Sequence, residues 1–388
     1  MKTDVIVIGA GAYGLMTAVF AARRGRKVLI LERNEQAGKK ILISGGGRCN
    51  YTNLNTRPEA YISENPHFTR NVLSRWSVDD TLEFFGNYGI QPQEKTLGQL
   101  FPISNKARDF RDGLLKEALS FGAEILYGIR PAEIIPSSSG FEIRTEMGES
   151  FYSEKLVMAS GGKSIPAMGA TDFGLKLAKK WGMKVIEDAP ALVPLMASPV
   201  EAVQCAELSG LSVPARVRLG KVQFEESILF THAGWSGPAI LQISSYWKPG
   251  LCIELDLLPD VYIQDFREVK ETPAQALAHL LPGRMMQKLR EELPFIQKRG
   301  SEISKKDYNL LDASLKHRGI TPIDSLGYAK AEVMRGGVDT RELIPQTLES
   351  KKIPGSYWGG ELIDVTGWLG GYNFQWAWAC GYVTGNSV

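Results

Sequence analysis

The sequence predicts an α/β fold, and three observations carry that prediction. An uncharged apolar run, Val5-Ile6-Val7-Ile8, leads into glycines at Gly9, Gly11 and Gly14. Small and apolar residues then continue to Gly25, and a second apolar run, Val28-Leu29-Ile30-Leu31, ends on Glu32. Strand, glycine turn, helix, strand and acid in that order make the βαβ unit of a Rossmann-like domain.

Each part of that unit has a physical reason. Gly9 permits the tight turn out of the strand, Gly11 lets a pyrophosphate approach the backbone, and Gly14 lets helix and strand pack closely. Together with Ala10, Ala12 and Tyr13, the turn offers unpaired N–H groups at the positive end of a helix, where a diphosphate binds. Glu32 stands 23 positions after Gly9 and is placed to accept hydrogen bonds from a ribose, with Arg33 following as a further contact. A glycine turn without a ligand is the plainer alternative, but here the acid and both strands fall where a dinucleotide needs them. Residues 5–22 contain no charge and can also be read as a signal peptide or a membrane span. Three glycines at nucleotide-binding spacing, Asp4 before them and the strand ending in Glu32 favour a soluble domain with no targeting segment.

Composition narrows the function. Lys and Arg total 45 against 43 Asp and Glu, a net charge of +2, so no global field draws in nucleic acid or an anionic membrane. Cys49, Cys205, Cys252 and Cys380 are far apart with no CxxC, which points to a reducing cytoplasm and, with four scattered histidines, to no metal site. The 388 residues suit two or three domains.

Beyond Glu32, Lys40 precedes a segment, Ile41 to Asn53, whose core Ser44-Gly45-Gly46-Gly47-Arg48-Cys49-Asn50 is poor material for any regular element. Its free N–H groups and the Arg48 donors suit a phosphate or a ring carbonyl. Helical patterns follow over 69–88 and 107–121, then strands near 123–127, 140–145 and 155–158. The last strand opens into Ala159-Ser160-Gly161-Gly162, at the carboxyl end where ligands lie in open α/β sheets. A helix is expected over 172–181, short strands at 215–219 and 227–230, and helices at 273–281, 285–293 and 305–315. Residues 284–318 hold nine Lys or Arg against five acids, a pattern read as a solvated helix face. Near the end, Tyr357 to Glu361 reads as a short strand, and Gly367 to Asn373 introduces a helix over 374–382.

Three glycine-rich elements beyond the first, at 44–50, 159–162 and 359–373, suggest a long cofactor gripped by distant segments, hence FAD. A helix N-terminus after Gly370 and Gly371 would stabilise charge on a reduced flavin pyrimidine. No second GxGxxG is present, so NAD(P)H would serve as a transient donor.

The runs Gly9 to Leu15, Lys40 to Asn50, Phe230-Thr231-His232-Ala233-Gly234-Trp235-Ser236-Gly237-Pro238, and Gly360-Glu361 through Gly371-Tyr372-Asn373 resemble the BaiN-like (YhiN-like) NAD(P)/FAD-dependent oxidoreductases. That group includes an aminoacetone oxidase and a bile-acid-reducing member. The resemblance implies non-covalent FAD in a domain formed by 1–190 and 325–388. It also implies an inserted barrel-like β domain, 191–258, which 325–345 would complete, and a small helical domain, 259–324. Carried over, the flavin contacts fall on Gly9 to Gly14, Glu32, Lys40, Ser44 to Asn50, Gly161, Gly162, Glu361 and Gly370 to Asn373. Ala159, Ser160, Gly360 and Asp364 adjoin them as further contacts. The chain departs from the pattern at Met334, Arg335, Gly359 and Cys380.

His232 is the candidate general acid or base, with a turn-holding histidine as the alternative. Cys49 and Tyr372 are candidates beside the ring, against packing roles for both. The leading expectation is a small-molecule substrate exchanging a hydride with FAD, without nucleic acid or membrane. The alternatives are a flavin-dependent RNA-modifying protein that would use the basic 284–318 segment, and a FAD-holding protein without turnover.

Overall fold

The computed structural model describes residues 2–388, which divide into two compact units, 2–189 with 333–388 and 190–332. The front and rear of the chain therefore share one unit. Its central sheet runs in the order Glu124–Tyr127, Val28–Glu32, Lys2–Ile8 and Ser150–Met158, all parallel. The carboxyl half of the long strand Ser150–Met158 pairs in parallel with Ser356–Trp358, and its amino half pairs antiparallel with Gly140–Thr145. Strand Pro131–Ser137 completes the meander. The runs Val5 to Ile8 and Val28 to Leu31 in these strands are apolar because both faces are covered, and Val5, Ile6 and Val7 have no exposed surface.

Helix Ala12–Arg23 follows the first strand, and helix Tyr372–Gly385 packs along it. Gly381 and Gly385 allow the approach: a Cβ on Gly381 would lie 2.4 Å from Met16 Cβ, and one on Gly385 2.6 Å from Phe20 Cβ. The Tyr13 hydroxyl meets Thr384 Oγ1 at 3.0 Å, and Arg24 donates to the carbonyls of Gly385 and Val388.

Three segments differ from the sequence reading. The helical pattern over 69–88 is two helices, Pro66–Leu73 and Val78–Gly86, because Ser77 accepts the Asp80 N–H and starts a new helix with a capping box. The glycine-rich segment after Lys39 is not wholly irregular. It begins as a helix, with Ile41 buried, and leaves helical geometry at Ser44, where ψ is 146°. The expected strand Tyr357 to Glu361 stops at Trp358, and Gly360–Leu362 forms a 3-10 turn.

In the second unit, an antiparallel seven-stranded sheet runs Arg318–Ile320, Ile253–Asp256, Ser212–Leu219, Val222–Thr231, Gly234–Ser236, Leu195–Met196 and Asp324–Ser325. Helices Pro273–Ala278, Gly283–Glu292 and Lys305–Leu315 belong to the same unit. Strand Val333–Val338 lies in the first unit and pairs with Val185–Ala191. No helix among the described residues is long and apolar enough to cross a membrane.

Replacing Gly381 by Val overpacks the contact between the first and last helices. The expected loss of stability is about 1–3 kcal/mol, read as a lower midpoint in chemical denaturation.

Candidate functional site

The first glycine turn separates what the fold requires from what a ligand requires. A Cβ on Gly9, whose φ is +106°, would lie 2.5 Å from the Ala159 carbonyl oxygen, and one on Gly14 would lie 2.0 Å from the Gly9 oxygen. The protein itself needs both glycines. Gly11 is different: it caps helix Ala12–Arg23 at an ordinary φ of −80°, and a Cβ there would meet nothing within 4 Å. Its open side faces the space that a diphosphate at this helix N-terminus would take. Gly161, beyond the neighbouring strand, also opens onto free space, and Ser160 Oγ is buried without a hydrogen-bond partner among the described residues. A buried unpaired hydroxyl costs about 1–3 kcal/mol, so a polar ligand is the natural partner for it. These features fit the elongated phosphate-bearing body of FAD.

The acids around the turn are already held by donors. Glu32 is buried; one oxygen accepts the Ala10 N–H at 2.7 Å, and the other accepts the Asn34 N–H and side-chain amide, each at 2.8 Å. Farther along, Lys40 Nζ donates to Glu361 Oε2 at 2.6 Å and to Ser164 Oγ at 2.6 Å, while Ser164 donates to Glu361 Oε1. The Met334 N–H also reaches Glu361 Oε1, at 3.1 Å. A Cβ on Gly162 would come within 2.9 Å of that oxygen, so the second glycine of the doublet makes room for the carboxylate. Asn34 and Ser164 were missed in the sequence. The only available signals were their places two residues after the acid and two after the glycine doublet.

The Ser44 to Asn50 turn adjoins the start of the last helix. Gly371 caps that helix at φ +101°, and a Cβ on it would lie 2.3 Å from the Thr52 carbonyl oxygen and 2.8 Å from Asn50 Oδ1. Asn53 donates to the Gly370 carbonyl at 2.8 Å. The turn is shaped by Gly45 and Gly46, both left-handed, and by Arg48 Nε donating to the Gly45 carbonyl at 2.9 Å. Gly47 accepts the Ala107 N–H. Cys49 is fully buried in a left-handed conformation, and burial pushes its thiol up to about 12, so it stays protonated and packs as a small apolar group.

Other expected contacts have their side chains turned elsewhere. The Tyr13 side chain lies against Gly359 and Gly360, where added Cβ atoms would approach its ring Cζ to 2.8 Å and its Cβ to 3.1 Å, so only its backbone faces the turn. Gly359, one of the departures from the family pattern, is thus the space that Tyr13 fills. The Tyr372 ring is buried beside Tyr61 and Trp368. Asn373 closes its own loop, accepting the Gly367 N–H and donating to the Gly367 carbonyl. Asp364 accepts the Glu64 N–H at 2.7 Å, and burial raises its pKa. Arg33 is half-buried. Gln375, which the sequence did not single out, links Thr52 and Thr81 to the carbonyls of Trp76 and Ser77.

His232 belongs to the second unit. It is exposed at the turn between Val222–Thr231 and Gly234–Ser236. Thr231 holds that turn, donating to the Gly234 carbonyl and accepting the Ala233 N–H, so the imidazole is not the group that fastens it.

The model of the HI0933-like protein Rossmann domain matches residues 3–387. A ribosomal RNA dihydrouridine synthase from Escherichia coli is 40% identical over 388 residues, covering 97% of this chain and 96% of its own. A 3-dehydro-bile acid delta(4,6)-reductase from Clostridium scindens is 34% identical over 98% of both chains. Among solved structures, a 3-ketosteroid-delta4-(5alpha)-dehydrogenase from Rhodococcus jostii shares the fold with a TM-score of 0.50 at 13% identity, covering 99% of this chain and 97% of that one.

Two tests follow from the turn and its thiol. Gly11→Val is expected to keep the circular dichroism and melting behaviour of the parent yet purify colourless, whereas Gly14→Val loses the fold itself. Iodoacetamide at about pH 8 is expected to label only Cys252 in the native protein, as read by peptide mass, because Cys49, Cys205 and Cys380 are buried and their thiols are raised by burial.

Proposed function

The chain belongs to the HI0933-like Rossmann family, and from that we propose that it is a FAD-dependent oxidoreductase that saturates a carbon–carbon double bond conjugated to a carbonyl, with uridine in ribosomal RNA as its substrate. The observation that carries the reading is whole-length similarity to two relatives whose names share one chemistry. Making dihydrouridine adds two hydrogens across the ring double bond beside a uracil carbonyl, and the bile-acid reductase is named for reducing double bonds in a 3-dehydro compound. The RNA-directed relative is more similar than the steroid-directed one, 40% against 34%, which favours RNA over the small molecule first expected.

FAD, when bound, supplies the two-electron transfer. This chain's residues bind and orient it. The N–H groups of Gly11, Ala12 and Tyr13 receive the diphosphate, and Glu32 takes the ribose with the lone pairs left by Ala10 and Asn34. Lys40, Glu361, Ser160 Oγ and the Gly161 backbone would hold the stretch between. The helix N-terminus formed by Gly371, Tyr372 and Asn373 would favour negative charge on a bound flavin. We assign packing roles to Cys49 and Tyr372. NAD(P)H serves as the transient donor.

The purified yellow protein is expected to bleach under nitrogen with NADH or NADPH. Ribosomal RNA from a strain lacking the gene should lose one dihydrouridine, seen as a loss of two hydrogens in the corresponding nuclease fragment by mass spectrometry. Unchanged fragments, together with oxidation of the bleached flavin by a steroid dienone, would turn the assignment to the small-molecule reading.

A further inference from the structure

The near-neutral charge of the chain conceals a local imbalance around the Ser44 to Asn50 turn. Residues 44–59 and 91–108 carry five cations, Arg48, Arg57, Lys95, Lys106 and Arg108, against two acids, Glu59 and Glu94. None of the five lies within ion-pair distance of a carboxylate among the described residues. Three of them are held by aromatic rings instead: the Arg48 guanidinium lies 5.3 Å from the Phe101 ring centroid, Lys95 Nζ lies 4.2 Å from the same ring, and Arg57 lies 5.3 Å over Trp368. Cation–ring contacts orient the charge without neutralising it. Lys106 joins the group because the next residue, Ala107, donates to the Gly47 carbonyl.

Leu97 adds an independent sign. Its φ is +57°, a strained region for a branched residue, and its side chain is 56% exposed. The conformation is enforced by the Asn53 and Asn55 amides, both donating to the Leu97 carbonyl at 3.2 Å. Asn53 also donates to the Gly370 carbonyl, so this face borders the glycines that introduce the last helix. An apolar side chain is thus displayed among unneutralised cations at the rim of the proposed flavin site.

The basic stretch 284–318 of the second unit is built differently. Lys288 pairs with Glu207 and Glu292, Lys316 with Asp256, Arg284 donates to the Glu207 and Ser209 carbonyls, and Arg318 reaches Gln204. Four of its nine cations are therefore committed to the protein's own groups.

We propose that the face bearing Arg48, Lys95, Lys106, Arg57, Trp368 and Leu97 is the docking surface for a single-stranded RNA segment, its phosphates on the cations and an unstacked base against Leu97. The inference rests on RNA as the substrate. Charge complementarity selects the partner: ring-supported cations with free N–H groups suit a phosphate backbone, and single-stranded recognition combines such a track with apolar or planar contacts to bases.

The test uses the holoprotein and a labelled, uridine-rich, single-stranded RNA of about 20 nucleotides, followed by fluorescence anisotropy across a salt series. The triple variant Arg57→Gln, Lys95→Gln, Lys106→Gln is expected to remain yellow and be bleached by NAD(P)H at the parental rate. It should bind RNA at least tenfold more weakly, with a log–log salt slope shallower by about 2, at roughly 0.7 per lost phosphate contact. Leu97→Gly, which relieves the backbone, should keep or raise stability yet weaken binding several-fold. Lys298→Gln, Arg299→Gln, Lys305→Gln in the second unit should leave the slope unchanged. Absence of RNA binding by the parent, or equal binding by the first triple variant, would overturn the proposal. RNA binding that depends on this face, without any change in ribosomal dihydrouridine on deletion of the gene, would instead overturn the substrate reading and leave the face in place.

Discussion

The contact between helix Ala12–Arg23 and helix Tyr372–Gly385 is the constraint on which the site depends. Glycines at 381 and 385 remove the side chains that would hold the two helices apart, and Tyr13 and Arg24 fasten their ends with hydrogen bonds. The N-termini of both helices are then fixed within one unit. One is capped by Gly11 and the other by Gly371. The same packing places Tyr13 against Gly359 and Gly360, and Trp376 Nε1 donates to the Gly360 carbonyl at 3.2 Å. Glu361, next in sequence, is thereby held where Lys40 and Ser164 reach it.

Electrostatics makes such an arrangement tolerable for an anionic ligand. Two carboxylates stand near a turn that would receive a diphosphate, which by itself is unfavourable. Glu32 is answered by the Ala10 and Asn34 donors, and Glu361 by Lys40, Ser164 and the Met334 N–H. With their charge spread over these partners, the acids shape and position the site without repelling what enters it. The Met334 N–H does this through its backbone, so the unusual side chain at that position leaves the hydrogen bond available.

Legibility in the sequence followed the range of the interaction. The βαβ unit could be read because strand, glycine turn and acid are local, and Gly9, Gly11, Gly14 and Glu32 stand in the expected unit. Helix Arg108–Ser120 and helix Lys305–Leu315 were equally plain from their periodicity. The break at Ser77 was obscured because apolar residues continue through it, and only a capping hydrogen bond decides that a new helix begins. Asn34, Ser164 and Gln375 were unreadable for another reason: each works through a partner far along the chain or through geometry with no sequence signature. Gly11 differs from these: its spacing already assigned it the approach to a pyrophosphate, and a Cβ there would meet no protein atom within 4 Å.

Charge offers the sharper lesson, because a sum over the chain and a map over the surface answer different questions. A net charge of +2 describes long-range steering, which ionic strength screens beyond about 10 Å. Recognition of a nucleic-acid strand depends instead on cations that lack internal partners. In the basic stretch 284–318, Lys288 and Lys316 spend their charge on Glu207, Glu292 and Asp256. Arg48, Lys95 and Arg57, dispersed in sequence and unremarkable by count, keep theirs because aromatic rings and not carboxylates hold them. Local pairing, more than composition, therefore decides which basic surface is available to a polyanion.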